Sequence, residues 1–471
     1  MDGKLREFVT RHTAHHVPIA LVTSGGTRTP IERNCVRYLD NFSTGTRGSY
    51  AVEELLKRGY AVIHLKREGS VSPLGRIIAD VIKCERGGLS FDSVGTLFDC
   101  KLDDDVDMER SSEDDAVQTE SSADSWMYFS SRENRSGNNG RRISRPSRRR
   151  GGLVSLNERV ADSPLVQSTL RMYREIKMNG TLLTVEFLYV DEYLDKLKMC
   201  CEAINTSGSL ALVYLAAAVS DFYIPKEKQA THKIQSRDYG INHQSGSKDD
   251  RDATIRLDPD NTLQLTLYPV PKVIPSLRRD WCPNAFVVSF KLETDFTILQ
   301  QKQVLAMKKN DVQMVIGNEL ATRYEKVFIL TRDGAGGKYF EEEGIESKLL
   351  DDDGYRVAEV TAAQGHTNSS LFCGDKIAAL EHATIDYVVK RHFFYISSNT
   401  GNKQSAAGLV SAVAMEASSV HEQGLEDAQK QLQRDRLKAK AVELAWNVAG
   451  SALGMALSYT IAKIMQKNNM K

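Results

Sequence analysis

The sequence has no excess of either charge, since 62 Lys and Arg balance 62 Asp and Glu over 471 residues. No global field draws it to nucleic acid or acidic lipid, so any charge-driven partner has to be served locally. Its seven cysteines include no C-x-x-C pair, and two of them, Cys200 and Cys201, are adjacent. That spacing suits neither a disulfide framework nor a thiolate zinc site, and points to the reduced thiols of a cytoplasmic protein. An apolar signal core is also missing, because Met1 to Val17 is polar and dotted with His12, His15 and His16. With no acidic or thiol partner nearby, these histidines are expected on a mobile N-terminal arm, residues 1–17, and not around a metal.

What is present centres on Ile19 to Leu56, IALVTSGGTRTPIERNCVRYLDNFSTGTRGSYAVEELL. The run Ile19 to Thr23 is apolar and β-branched, as in a buried parallel strand, and Ser24-Gly25-Gly26-Thr27 breaks it with residues that let backbone N–H groups turn inward. Gly45 and Gly48 bracket a second tight approach, with Ser43 and Thr44 as caps for a helix from about Arg47 to Lys57. The stretch is neither G-x-G-x-x-G nor G-x-x-x-x-G-K-[ST], so tight-turn geometry and anion binding both remain open for its glycines. Arg37, Asp40 and Asn41, just before the second loop, are polar groups that a plain connection does not require. The Asn41 carboxamide offers a donor and an acceptor together, which suits a carboxylate or a developing acyl oxyanion beside a phosphate.

Alternation of β and α elements continues along the chain. Strands are expected at Tyr60–Lys66, Leu182–Phe187, Ala211–Ala218, Ala285–Phe290, Val312–Ile316 and Val327–Thr331, with helices from Pro164, Asp191, Phe296 and Asp375. Asp221 falls just beyond the most apolar strand, where ligands of open α/β sheets lie, although it would also serve as the cap of a turn. Lys233 stands in a polar setting and is either a ligand of phosphate or oxyanion or a solvated lysine. Alternating residues at 253–268 suggest a β-hairpin arm that pairs with a second subunit. Residues 87–152, acidic and serine-rich and then arginine-rich, read as a disordered insertion. Residues 398–471 are expected to form a linker and a C-terminal helical tail. Within it, Leu444 to Ala462 carries no charge and suits either a docked or self-associating soluble helix or a C-terminal membrane anchor.

The motifs TSGGT at Thr23 to Thr27, VRYLDNFSTGTRG at Val36 to Gly48, YLAAAVSDFYIP at Tyr214 to Pro225, HKIQS at His232 to Ser236 and FKLET at Phe290 to Thr294 resemble phosphopantothenate-cysteine ligase. The eukaryotic form is the better match, over most of residues 18–397. The resemblance implies a Rossmann-like α/β fold, an open and mostly parallel sheet with helices on both faces, and a homodimer, which gives the hairpin arm a subunit to pair with. It implies a ligase of coenzyme A biosynthesis, which activates the carboxylate of 4′-phosphopantothenate with a nucleoside triphosphate and then joins it to the amine of L-cysteine. ATP is favoured over CTP, and Mg2+ is expected with ligands that the motifs do not name. By motif match, Gly25, Ser43, Gly45, Gly48, Phe290 and Asn318 would line the nucleotide. Asn41, Ala217, Ala218 and Asp221 would hold phosphopantothenate, Arg37 would reach in from the other subunit, and Lys233 would steady the charged intermediate. Two other classes compete. A nicotinamide oxidoreductase lacks its third glycine and a convincing acidic residue after the second strand, whereas a non-catalytic, nucleotide-binding scaffold of the same family is opposed only by the intact Asn41, Asp221 and Lys233.

Overall fold

The computed structural model describes residues 2–75, 98–101, 153–156, 164–234, 255–257, 262–332, 347–350, 353–365 and 376–399. A nine-stranded sheet organises it. In chain order its strands are β1 (Ile19–Ser24), β2 (Ala61–Arg67), β3 (Leu182–Phe187), β4 (Ala211–Leu215), β5 (Phe286–Glu293), β6 (Met314–Glu319), β7 (Lys326–Arg332), β8 (Ser347–Leu349) and β9 (Tyr355–Thr361). Their spatial order is β8-β9-β7-β6-β5-β4-β1-β2-β3. The six strands from β3 to β6 run parallel, and β7, β9 and β8 extend the sheet antiparallel.

Parallel strands covered on both faces are apolar on both, and β1 is buried at every position. The period of two then divides its residues between two cores. Ile19 and Leu21 face the core that includes Leu5, Leu197 and Leu299, whereas Ala20 and Val22 face the one built on Val52, Leu55, Leu380 and Val388. Those side chains come from α1 (Asp2–Ala14), α4 (Val190–Ile204) and α5 (Phe296–Asn310) on one face, and from α2 (Thr46–Lys57) and α6 (Lys376–Asn399) on the other. A further helix, α3, is Pro164–Asn179. Local signals set the ends of α5. The Asp295 side chain accepts from the Thr297 amide at 2.8 Å, and Asp311 at φ 51° turns the chain out.

Two expectations need correction. Residues 1–17 do not trail as a mobile arm, because α1 buries Leu5, Phe8, Val9 and His12, a stripe at i, i+3, i+4 and i+7. Its Arg11 and His12 both donate to the Gly180 carbonyl, at 2.7 and 3.1 Å. Within the segment expected to be disordered, Phe98–Lys101 is a strand that pairs antiparallel with Leu153–Leu156, and the rest of 87–152 lies outside the described residues. That hairpin belongs to a second compact unit, residues 78–166. The hairpin expected at 253–268 is present as Ile255–Leu257 against Leu263–Leu265. Leu444 to Ala462 also lies outside the described residues, among which no helix is long and apolar enough to cross a membrane.

Candidate active site

Sheet order decides where a ligand can enter. From β1 the chain builds outward through β2 and β3, and then crosses to β4 on the other side of β1 before continuing through β5 and β6. The connections that follow β1 and β4 lead to opposite faces of the sheet, the switch point at whose crevice ligands of open α/β sheets lie. These ends are laced together by the backbone. Ala218 N donates to the Gly25 carbonyl at 2.8 Å, Thr27 N returns a bond to the Ala218 carbonyl at 3.1 Å, and Gly26 bridges Ala218. Threonines add two more bonds, from Ala217 N to Thr23 Oγ1 at 3.1 Å and from Ser220 N to Thr27 Oγ1 at 2.9 Å.

Glycine is required at Gly26, where a Cβ would lie 1.6 Å from the Asn41 carbonyl oxygen. This close approach lets the segment Arg28–Pro30, paired with Tyr38–Asp40, fold back over the loop, and Asn41 N donates to the Thr27 carbonyl at 3.1 Å. The Asn41 backbone is thus fixed, while its carboxamide has no hydrogen-bond partner among the described residues. Gly45, at φ 76°, is the N-cap of α2 and supplies no side chain to its first N–H groups. Ser43 and Thr44 do not cap the helix as expected. The Gly45 amide donates to Ser43 Oγ at 3.3 Å, and Thr44 bonds Thr46. With no acidic residue in its first turn, α2 points uncompensated positive potential at the crevice. Gly25 and Gly48 lie directly beneath, packed on Arg67 and Ser24.

On the β4 side, Asp221 is exposed and pairs with Lys272 Nζ at 2.9 Å. Lys233 is exposed and makes no ion pair among the described residues. Arg37 is held within its own chain, where its Nε donates to Glu32 at 2.9 Å and its Nη2 to the Ile234 carbonyl at 3.0 Å. Burial pushes the Glu32 carboxyl up, but the Arg37 hydrogen bonds outweigh it and hold the group below the usual range. Farther along the edge, Phe290 on β5 meets the Tyr214 ring edge to face at 5.0 Å. Asn318, near the end of β6 beside Leu292, is 8% exposed and its Oδ1 is buried without a hydrogen-bond partner.

Among the described residues the site shows no activated nucleophile. His64 shares a hydrogen bond of 2.9 Å with Ser24 Oγ, yet burial drives its pKa down to about 3, so it stays neutral and remains part of the core beneath the glycine loop. Among the described residues no group of three His, Cys, Asp or Glu gathers to hold a metal. From sequence alone, no site role falls to Thr23, Thr27, Ser220, Lys272 or Glu32. Thr23 and Thr27 in TSGGT and Ser220 in YLAAAVSDFYIP lie inside the motifs, and hydroxyls beyond a strand end are the signal that marks them, whereas nothing local marks Lys272 and Glu32.

The order of the six parallel strands and the open crevice between β1 and β4 place the chain in the Rossmann-like class of α/β proteins. No protein-family model matches it. Curated relatives do. It is 32% identical to phosphopantothenate–cysteine ligase 2 of Oryza sativa subsp. japonica over 356 residues, which are 74% of this chain and 84% of that protein. It is also 32% identical to the phosphopantothenate–cysteine ligase of Homo sapiens over 372 residues, covering 79% of this chain and 93% of the human one. Among solved structures, a mutant of Cab2 in complex with phosphopantothenate-cysteine superposes with a TM-score of 0.54 at 26% identity, covering 84% of this chain and 94% of the other. The chain belongs to the phosphopantothenate–cysteine ligase family.

Proposed function

We propose that this chain is an ATP-dependent ligase that joins 4′-phosphopantothenate to L-cysteine. The carboxylate of phosphopantothenate attacks the α-phosphorus of the nucleotide, giving an acyl-nucleotide and releasing pyrophosphate. The cysteine amine then adds to the acyl carbon, the nucleotide leaves as AMP, the amine loses a proton, and 4′-phosphopantothenoylcysteine remains. The observation that carries this reading is the Asn41 carboxamide, unpartnered on a fixed backbone next to the open N-terminus of α2. Such a group can donate to the oxygen on which charge develops while the helix holds a phosphate beside it.

Other residues support the same chemistry. The Ala217–Ala218 backbone would flank the pantothenate chain, with Asp221 placed for one of its hydroxyls. Lys233 would offer its ammonium to the negative charge of the acyl-nucleotide. Gly25, Ser43, Gly45 and Gly48 would border the nucleotide phosphates, with Phe290 beside its less polar part, and Asn318 Oδ1 is a buried acceptor that a nucleoside N–H or O–H would satisfy. Neutral His64 suits a reaction that needs no protein nucleophile. Magnesium would arrive with the triphosphate. The lack of a three-ligand cluster among the described residues fits an ion held chiefly by phosphate oxygens and water.

A homodimer completes the reading. Phe42 is 87% and Val36 56% exposed, close to Tyr38 and to the surface-held Arg37, an apolar patch that a second subunit would cover while taking Arg37 into its own site. A cytoplasmic enzyme is the expected setting. The test is to incubate the full chain with 4′-phosphopantothenate, cysteine, magnesium and either ATP or CTP, and to follow the amide product and pyrophosphate by mass spectrometry. Amide formed with ATP is the expected result. A folded protein that binds nucleotide and yields no amide would make the chain a nucleotide-binding scaffold instead.

A further inference from the structure

Beneath the nucleotide side of the crevice lies a buried carboxylate that the proposed chemistry does not use. Glu381, on α6, has no exposed surface, and its Oε1 approaches Arg47 Nη1 at 2.8 Å. The Tyr214 hydroxyl donates to Glu381 Oε2 at 3.3 Å. Arg47 stands in the first turn of α2, between Gly45 and Gly48, and from there spans the sheet edge. Its guanidinium lies 5.9 Å from the Phe290 ring centre, and its Nη2 donates to the Arg323 carbonyl at 2.7 Å in the connection between β6 and β7. One side chain therefore links the phosphate side of the crevice, at α2, with the nucleoside side, at β5 and β6.

The pairing is incomplete. Arg47 Nη1 and Glu381 Oε1 are close enough for an ion pair but not aligned for a hydrogen bond, and both atoms are buried without another partner. Arg47 Nη1 and Glu381 Oε1 serve each other by charge, whereas Asn318 Oδ1, near the end of β6, is buried with no hydrogen-bond partner among the described residues. A group left in that condition marks a place that a polar ligand would satisfy. Arginine presents a planar fork of donors suited to phosphate oxygens, and a buried carboxylate behind it fixes the orientation of that fork.

Building on the ligase reading above, we infer that Arg47 is a further residue of the nucleotide subsite, with its guanidinium on the phosphates, and that Glu381 and Tyr214 are positioning residues that hold it there. The ion pair and hydrogen bonds that hold Arg47 and Glu381 involve none of Asn41, Asp221 and Lys233, so recognition of phosphopantothenate should depend less on this group.

The test measures KM for the nucleotide and for phosphopantothenate, together with kcat, in Arg47→Met, Glu381→Gln and the double variant that combines them. The double variant leaves no unpaired charge buried, which keeps the comparison valid if a single variant folds poorly. The nucleotide KM should rise about tenfold or more in the double variant and by a smaller factor in Glu381→Gln, with the phosphopantothenate KM within about twofold of the parent. In an Arg47→Met background, adding Glu381→Gln should cost no further nucleotide affinity, the non-additivity of a group that acts through another. A nucleotide KM unchanged in the double variant, with the parent active, overturns the inference and leaves the ligase intact. A parent protein that binds no nucleotide by calorimetry overturns both.

Discussion

The two edges of the central sheet treat their polar groups in opposite ways. At the amino edge they are paired. Gly180 accepts from Arg11 and His12, Thr13 bonds Ser207, and His392 lies between the Tyr60 hydroxyl and the Ser209 carbonyl. At the carboxyl edge the Asn41 carboxamide, the Lys233 ammonium, Asn318 Oδ1 and the first amides of α2 are left without side-chain partners among the described residues. Folding alone gains nothing from an unsatisfied buried amide, which costs about 1–3 kcal/mol. On the proposed function, the contrast separates residues that hold the sheet together from residues held ready for a ligand. Substitutions at one edge should therefore remove stability, and at the other, activity.

The largest expected effect is at the carboxyl edge. Asn41→Ala should lower turnover about 100- to 1,000-fold, the usual loss when one donor to a developing oxyanion is removed. Lys233→Ala should lower it about tenfold through weaker binding of the charged intermediate. Both variants should keep the parent Tm within about 2 °C, since neither side chain has a partner to lose. Steady-state assays paired with thermal melts check this, and a large fall in Tm for either variant would break the comparison.

At the amino edge the order of effects reverses. A carbonyl can only accept, so His392 Nε2 carries the ring proton toward Ser209 and Nδ1 accepts from Tyr60, at 2.9 and 2.8 Å. Burial favours that neutral ring and pushes its pKa from 6.5 down to about 4. The unfolded chain then binds more protons than the folded one between these values. The contribution of His392 is complete above the unfolded pKa and declines as the pH falls toward the folded one, by up to about 3 kcal/mol. His392→Phe should cost about 2 kcal/mol at neutral pH by stranding two buried partners, and should make the acid slope shallower. Its kcat, measured well below Tm, should match the parent. Urea unfolding at pH 7 and pH 5 gives both values.

Much of this architecture is legible in the sequence because fully buried parallel strands advertise themselves. Ile19–Ser24, Leu182–Phe187 and Phe286–Glu293 stand where apolar runs end in small or polar residues. Tyr355–Thr361 is less visible, since Arg356 and Glu359 interrupt a short alternation. The glycine loop and Asn41 stand out as a motif, because close backbone approach demands particular residues next to one another in sequence. Arg47 and Glu381 do not, since their pairing is made by the packing of α6 on α2, and no local pattern encodes it. In α1 the histidines draw attention to metal or mobility, and the stripe of Leu5, Phe8, Val9 and His12 that actually docks the helix is easily passed over.

That helix supplies the smallest and most discriminating prediction. Thr13 Oγ1 and Ser207 Oγ share a hydrogen bond of 2.8 Å, tying the end of α1 to the turn that precedes β4. Thr13→Ala should cost about 1 kcal/mol, the ordinary worth of one such bond, and lower Tm by about 2 °C for a domain of this size. No hydrogen bond links either residue to the carboxyl edge among the described residues, so every KM should stay at its parent value. If a change this small at the far edge altered the nucleotide KM, the two edges would be coupled through β4, whose first residue follows that turn and whose far end bears Tyr214 and leads into Ala217 and Ala218. Equal KM values with a lower Tm would instead show that α1 serves the sheet and not the site.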